Sequence, residues 1–534
     1  MYLVSAKQMQ DIDWETIDGI GIPGLVLMEH AGTLTARAIV DRYGTGKRIT
    51  VLCGKGNNGG DGFVIARLLR STGSEVTVLL AGEPEKVAGD ARTNLEAYRR
   101  AGGTLFAGEM ANATRLSGAL RHADLIVDAL FGTGLNQPLR KPVSSWVTAL
   151  ARHGKPVVAV DIPSGINADS GEVMGVAVQA DLTVTYACPK RGHLSGDGIR
   201  HTGTLVVADI GIPDTVAEAA GIRVHLTRST DAAGWLPPRP AGGHKGSFGH
   251  LLVAGGSPGM TGAPCLAARG AQRVGTGLVT VAAPEGLNDI IEIKLTEAMS
   301  LPLPQTGERT FGESALTPLL AAASERSALI LGPGISRHPD TAQFVRDVVE
   351  RYDGPLVIDA DALNALSGHM KHFPRRVAPT VLTPHPGEMA RLAGISTTLL
   401  QSDRIEAAQA MAAEHEAVVV LKGQFTVVAD PFGGTYVNPT GGPVLASGGT
   451  GDVLAGMIGG FLAQGLGAGP AAALAAYLHG LAADRWSAKH GDRGLTAGAL
   501  ARGIPDAMNA LTQGAVTDTI THLSPLESGP NPGQ

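Results

Sequence analysis

The chain has 534 residues, a net charge of −6, 44% hydrophobic and 17% charged residues. That length exceeds what one hydrophobic core sustains, so two domains are expected. The weak negative charge and the lack of any apolar run near the ~20 residues that span a bilayer exclude nucleic acid and membrane as partners.

In chain order, 5–18 and 23–41 read as helices, the first opening on Ser5 and Gln8 at capping-box spacing and the second on Pro23 in its first turn. No basic stretch followed by an apolar one marks an export signal, so a cytoplasmic location is expected. Apolar, β-rich runs at 48–53, 75–80, 124–128, 156–160, 182–185 and 204–207 alternate with helical stretches such as 61–70, the pattern of a parallel sheet with covering helices. Between 211 and 243 the pattern decays into a Trp-Leu-Pro-Pro-Arg-Pro stretch that forbids a continuous helix or central strand. This predicts domains at 1–212 and 242–512, a linker at 213–241, and a disordered tail at 513–534. In the second domain, strands are expected at 250–254, 277–281, 328–331, 355–358, 377–382 and 417–421, and a helix at 453–462. Cys53, Cys188 and Cys265 follow neither metal nor disulfide spacing and read as small buried apolar residues.

The 73 glycines are about twice the usual ~7% share, and they cluster in loops where backbone must approach a ligand or turn sharply. Gly-Asn-Asn-Gly-Gly-Asp at 56–61 lies between a strand and a helix, where open α/β sheets bind ligands, although it is not the dinucleotide fingerprint. Asn57 and Asn58 offer amide oxygens to a cation; a tight turn capped by Asp61 is the alternative. Asp128 and Asp161 end two further strands on the same sheet edge, and either could instead satisfy loop amides.

In the second half, Gly-Gly-Thr-Gly-Asp at 448–452 precedes an apolar helix, so backbone N–H groups and a helix N-terminus can face one anion. Asp452 then stands where it could take a proton from a substrate hydroxyl meeting a phosphoryl group, or could simply cap the helix. His385, between two prolines after a strand, could be aimed at a substrate or sit on a surface turn. Lys422 ends a buried-looking strand and needs a partner or a phosphate unless it faces solvent. Asp359 and Asp361 suit substrate or magnesium-water contacts, with helix capping an equal alternative for Asp361.

The order and spacing of 244–257, 259–263, 332–334, 359–364, 383–388, 422–423 and 448–452 resemble the ribokinase-like superfamily, and within it the ADP-dependent dehydratases that repair hydrated NADH and NADPH. The resemblance implies that Ala263, Gly334, His385 and Asp452 contact the hydrated dinucleotide. It also implies that Lys422, Gly423, Gln424, Phe425, Thr426 and Gly451 contact the adenine nucleotide, with Mg2+ accompanying ADP, and that Asp452 is catalytic. Residues 1–212 resemble the NAD(P)H-hydrate epimerases through Asn-Asn-Gly-Gly-Asp and Asp-Ile-Pro-Ser-Gly (161–165). That likeness implies potassium at Asn58, Asp128 and Ser164, an all-oxygen set that suits a hard alkali ion. It further implies dinucleotide contacts at Asn57, Asn58, Gly59, Gly60 and Asp61 and at Gly132, Thr133, Gly134, Leu135, Asn136, Gln137 and Pro138, with Asp161 at the reacting ring. Together they imply an α/β chain of two domains, a Rossmann-like α/β/α sandwich followed by a ribokinase-like one. Its expected ligands are NADHX, NADPHX and ADP, and a homo-oligomer is expected.

Overall fold

Strands whose every side chain is apolar belong in sheets covered on both faces, and the computed structural model, which describes residues 1–524, bears this out. The chain divides into two units, 1–222 with 520–524 and 223–519. In the first unit, β1 (Arg48–Cys53), β2 (Glu75–Leu80), β3 (Thr104–Ala107), β4 (Leu125–Ala129), β5 (Val157–Val160), β6 (Leu182–Tyr186) and β7 (Thr204–Ala208) form one parallel sheet in the order 7-6-5-4-1-2-3. β1 pairs with both β2 and β4, so the chain reverses its direction of travel at the β1/β4 boundary, the switch point where such sheets leave a crevice. Val51, Val78, Val127, Val158 and Phe63 fill one face of the sheet; Leu52, Leu79, Ile126 and Trp146 fill the other.

In the second unit β8 (Val224–Leu226), β9 (His250–Ala254), β10 (Leu278–Pro284), β11 (Met299–Leu303), β12 (Ala328–Leu331), β13 (Leu356–Ile358), β14 (Thr380–Leu382), β15 (Val418–Leu421), β16 (Val427–Ala429) and β17 (Thr435–Val437) form a ten-stranded sheet ordered 11-10-9-12-13-14-15-16-17-8. It is parallel from β11 to β15, and β16 runs antiparallel to both its neighbours. The apolar helices Thr450–Ala463 and Ala468–His490 are buried along most of their length in its core. Among the described residues no helix is long and apolar enough to cross a membrane. The three cysteines are free and buried.

Several sequence expectations change here. The stretch read as a linker holds helix Asp214–Ala219, β8 and helix Ser229–Trp235; β8 pairs with β17, and the Trp235 ring meets Tyr436 edge-on at 5.1 Å. A three-residue strand held by its pairing with β17 and by the His225 ring stacked on Tyr436 carries no periodicity that composition could reveal. Within the stretch read as a disordered tail, Thr521–Leu523 pairs with β7, while 525–534 lie outside the described residues. The first helix ends at Trp14 and continues as a π-helical turn, Glu15–Ile20. Pro23 is the N-cap of helix Gly24–Tyr43 rather than its first residue.

Candidate active sites

In the first unit the helix after β1 begins at Asn57, so Asn57 through Asp61 are its opening turns and Asp61 does not cap it. The connecting loop is only Gly54 to Gly56, and glycine is required there: a Cβ on Gly54 would lie 2.0 Å from the Leu130 carbonyl oxygen, and one on Gly59 2.0 Å from that of Gly54. Gly59 and Gly60 thus serve close packing, Gly60 lying against Met28. The loops after β1 and β4 are pressed together at the switch point and border a cleft of about 560 Å3. Of the predicted residues, Asn57, Asn58, Asp61, Gly132, Thr133, Gly134, Leu135 and Asp161 line it; Asn136, Gln137 and Pro138 are exposed outside it.

Beneath the cleft, Asp128 on β4 is fully buried and accepts hydrogen bonds from Ser164 N–H (2.8 Å) and Ser164 Oγ–H (2.7 Å). Phe131 N–H donates to Ser164 Oγ at 2.9 Å. Burial pushes the Asp128 carboxyl up to about 6, against these bonds. Asn58 is half-buried but its amide oxygen and nitrogen are themselves buried, and among the described residues neither has a hydrogen-bond partner. An orphaned amide costs ~1–3 kcal/mol, so a ligand to its oxygen is the economical explanation.

Asp161 follows β5 with φ +65°, a left-handed conformation unusual for a non-glycine residue. Its Oδ1 accepts from Lys190 Nζ (2.7 Å) and Thr185 Oγ1 (3.1 Å). Lys190 Nζ also donates to Thr185 Oγ1 (2.9 Å) and the Tyr186 carbonyl (3.1 Å), and the residue is fully buried. His193 Nδ1 accepts from Lys190 N–H (3.0 Å), leaving Nε2–H to donate to the Asp161 carbonyl (2.9 Å); burial pushes this imidazole down to about 4, so it is neutral. Burial would raise Asp161, but the Lys190 charge overrides it and holds the carboxyl below its ordinary range. By contrast burial pushes Asp13, also in the cleft, up to about 6 and raises Asp61 well above the carboxylate range. Sequence reading missed Asp13, Thr185, Lys190 and His193; the Pro-Lys at 189–190, just past a strand, was the one available signal.

In the second unit, Asp452 sits in the first turn of helix Thr450–Ala463, whose N-cap is Gly449 (φ +91°), so Asp452 is not the cap. The N–H groups of Gly451 and Asp452 have no backbone partner among the described residues and remain open to an anion. Burial, then the charge of Asp359, pushes Asp452 up to about 7, with Lys422 opposing. Lys422 donates to Asp359 Oδ1 at 2.9 Å, lies 3.9 Å from Glu388, and would be 3.6 Å from a Cβ on Gly451. It therefore has its partner, and does not simply face solvent. Thr383 Oγ1 donates to the same Asp359 oxygen at 2.6 Å.

A cavity of about 350 Å3 is bordered by Lys422, Gly423, Gln424, Thr426 and Gly451, with Asn438, Thr440 and His479 that sequence reading missed; Phe425 is not on its wall. Buried His479, pushed down to about 4, donates from Nε2 to the Thr450 carbonyl at 2.9 Å and braces the helix start. Ala263 and Gly334 are neighbours: a Cβ on Gly334 would lie 3.2 Å from that of Ala263. Both, with His385, lie outside this cavity: Ala263 opens the helix after β9, Gly334 follows β12 and His385 follows β14. His385 N-caps helix Pro386–Ala393, its Nδ1 accepting from Gly387 and Glu388 N–H (3.0 and 3.2 Å) while Glu388 accepts from its N–H (2.8 Å). The capping leaves Nε2 as the proton-bearing nitrogen, on a half-exposed ring. Asp361 starts its helix and is held by Arg337 at 2.9 Å, and its charge adds to the rise of Asp452.

Two α/β units, each with a crevice at the carboxyl ends of parallel strands, with aspartates on the wall of the first and Asp452 next to the Gly451 wall of the second, define an enzyme with two nucleotide-type sites. Residues 251–506 match the family model described as NAD(P)H-hydrate dehydratase, and 24–192 that of the YjeF-related protein N-terminus. The bifunctional NAD(P)H-hydrate repair enzyme of Moorella thermoacetica is 45% identical over 96% of this chain and 98% of its own, and that of Salinibacter ruber 43% over 94% and 95%. The ADP/ATP-dependent NAD(P)H-hydrate dehydratase of Bacillus subtilis, crystallised with ATP and Mg2+, is 35% identical and covers 54% of this chain and 99% of its own, with a TM-score of 0.48. The chain belongs to the family of bifunctional NAD(P)H-hydrate repair enzymes, with an epimerase and a dehydratase domain.

Proposed function

We propose that the first unit interconverts the R and S hydrates of NADH and NADPH and that the second dehydrates the S form at the expense of ADP. The observation that carries the second role is Asp452, titrating near neutrality beside open helix N–H groups and a paired lysine. In this reading Asp452 takes the proton of the C6 hydroxyl as its oxygen attacks the terminal phosphorus of ADP, and AMP leaves. Lys422 and the N–H groups of Gly451 and Asp452 hold the charge on the moving phosphoryl group. The phosphate then departs from C6, a proton leaves C5, and the dihydropyridine is restored, so that hydrate and ADP become NAD(P)H, AMP and phosphate. Ala263, Gly334 and His385 would hold the dinucleotide, and Lys422 to Thr426 the adenine nucleotide. Magnesium, held chiefly through nucleotide phosphates and water, suits a site whose described residues include no cluster of three or more metal-binding side chains.

For the first unit, Asp161 Oδ2 is the candidate base. It takes the C6 hydroxyl proton while the C6–N1 electron pair retires to the nitrogen and C6 becomes an aldehyde carbon; closure from the opposite face returns the proton. Asn57, Asn58, Asp61 and Gly132 to Leu135, which line the cleft, would hold the dinucleotide. Asn58, Asp128 and Ser164 fit potassium, because the orphaned Asn58 amide supplies an oxygen with no other partner; the ion would hold the loops after β1 and β4 in register.

The test follows the return of reduced-nicotinamide absorbance from mixed hydrates with ADP, ATP or neither, with and without potassium. Full recovery with nucleotide and potassium is expected. Recovery halting at half the mixture would reject the epimerase role, and accumulation of a phosphorylated product without NAD(P)H would reject dehydration.

A further inference from the structure

The side-chain hydrogen bonds of Asp161 all fall on Oδ1, and among the described residues Oδ2 takes none. A Cβ on Gly132 would lie 3.1 Å from Oδ2 and 3.4 Å from the Asn58 amide, so this oxygen faces the floor of the cleft. We infer that Lys190 is a positioning residue for the first unit's reaction, clamping Oδ1 of Asp161 so that Oδ2 alone is presented to the substrate. The inference rests on the reading of Asp161 as the base.

Two features carry it. First, the clamp is built from one turn that grips both ends of the residue. Lys190 Nζ holds the carboxylate, and His193, tied to the Lys190 N–H, holds the Asp161 carbonyl and thereby its left-handed backbone. Such a conformation costs on the order of 1–3 kcal/mol and persists only when its surroundings impose it. Second, Lys190 borders the cleft but has no exposure, and its ammonium spends all three protons on Asp161, Thr185 and the Tyr186 carbonyl, so none is left for a ligand and it acts through Asp161. The other ionisable groups around Asp161 are His193, which is neutral, and Asp13, Asp61 and Tyr186, all of which burial drives toward the neutral form. Among the described residues Lys190 is thus the cation bonded to Asp161, the one carboxyl of this cluster held below its ordinary range.

The test uses the full chain, with its dehydratase activity as an internal control for folding. Lys190→Met is expected to lower epimerase kcat at least 100-fold, change KM for the R hydrate less than threefold, and leave the potassium concentration for half-activation unchanged. In Lys190→Ala, added methylammonium should recover at least tenfold of the loss, since it replaces the charge and not the fold. Thr185→Val, a milder change, should lower kcat three- to tenfold without altering the melting temperature by more than a few degrees. A Lys190→Met enzyme within threefold of wild-type kcat, or a Thr185→Val enzyme with unchanged kcat, overturns the inference. An Asp161→Asn enzyme that still epimerises would instead overturn the reading of Asp161 itself, whatever Lys190 does.

Discussion

In the first unit the buried lysine bonds the very aspartate that faces the cleft, and Asp161 is held ionised. In the second, Lys422 bonds a neighbour, Asp359, and the cleft aspartate, Asp452, is left to burial, which carries it to about 7. The same two residue types therefore yield a carboxyl held below its ordinary range in one site and one that gains and loses a proton near neutral pH in the other. Geometry within a few ångströms, and not residue identity, sets the proton inventory.

The comparison breaks most sharply at Asp452. Asp452→Asn should lower dehydratase kcat by ~10^3-fold, within the range of general-base effects, while nucleotide binding by calorimetry and epimerisation by chiral chromatography persist; a smaller loss than tenfold would remove its role as base. The contrast in proton state is sharpened by pH. Because Asp452 must be ionised to act, dehydratase kcat/KM should fall tenfold per unit as pH drops below about 7, and epimerase kcat/KM should show no inflection there, since Asp161 ionises below the ordinary carboxylate range. Asn58→Leu should raise the potassium needed for half-maximal epimerase activity about tenfold or more, equivalent to ~1.4 kcal/mol, and leave dehydration indifferent to potassium. The smallest effect is structural: Ser164→Ala keeps the backbone N–H bond to buried Asp128 but removes the Oγ–H bond to it and the acceptor of the Phe131 N–H, and should cost ~1–3 kcal/mol in urea unfolding of the first unit.

Much of this was legible in the chain. Apolar runs of four to six residues bounded by glycine loops marked most strands, because strands buried on both faces must be apolar throughout. Asp128, Asp161 and Lys422 stood out as polar residues at the ends of such runs, where the sheet edge opens, and Asp452 as the acid between a glycine loop and an apolar helix. The sites were less legible where a contact joins distant segments. Lys190 looked like any lysine after a proline, yet it is buried because β5 and β6 lie side by side and place Asp161 and Thr185 within its reach. Glu388 was visible beside His385, but its cap geometry, which decides which ring nitrogen bears the proton, was not.

The sequence by itself determined the alternation that makes two parallel α/β units, the glycines that let the loops after β1 and β4 touch, and the aspartates that end their strands. Those features are local, a matter of which residues tolerate burial or a close backbone approach. Only the tertiary structure decided which aspartate each lysine meets, that 224–226 and 521–523 add strands at sheet edges, and that the Asn58 amide is left without a partner. Charge state and hydrogen bonding depend on distances between segments far apart in the chain, and those distances exist only once the sheets have closed around them.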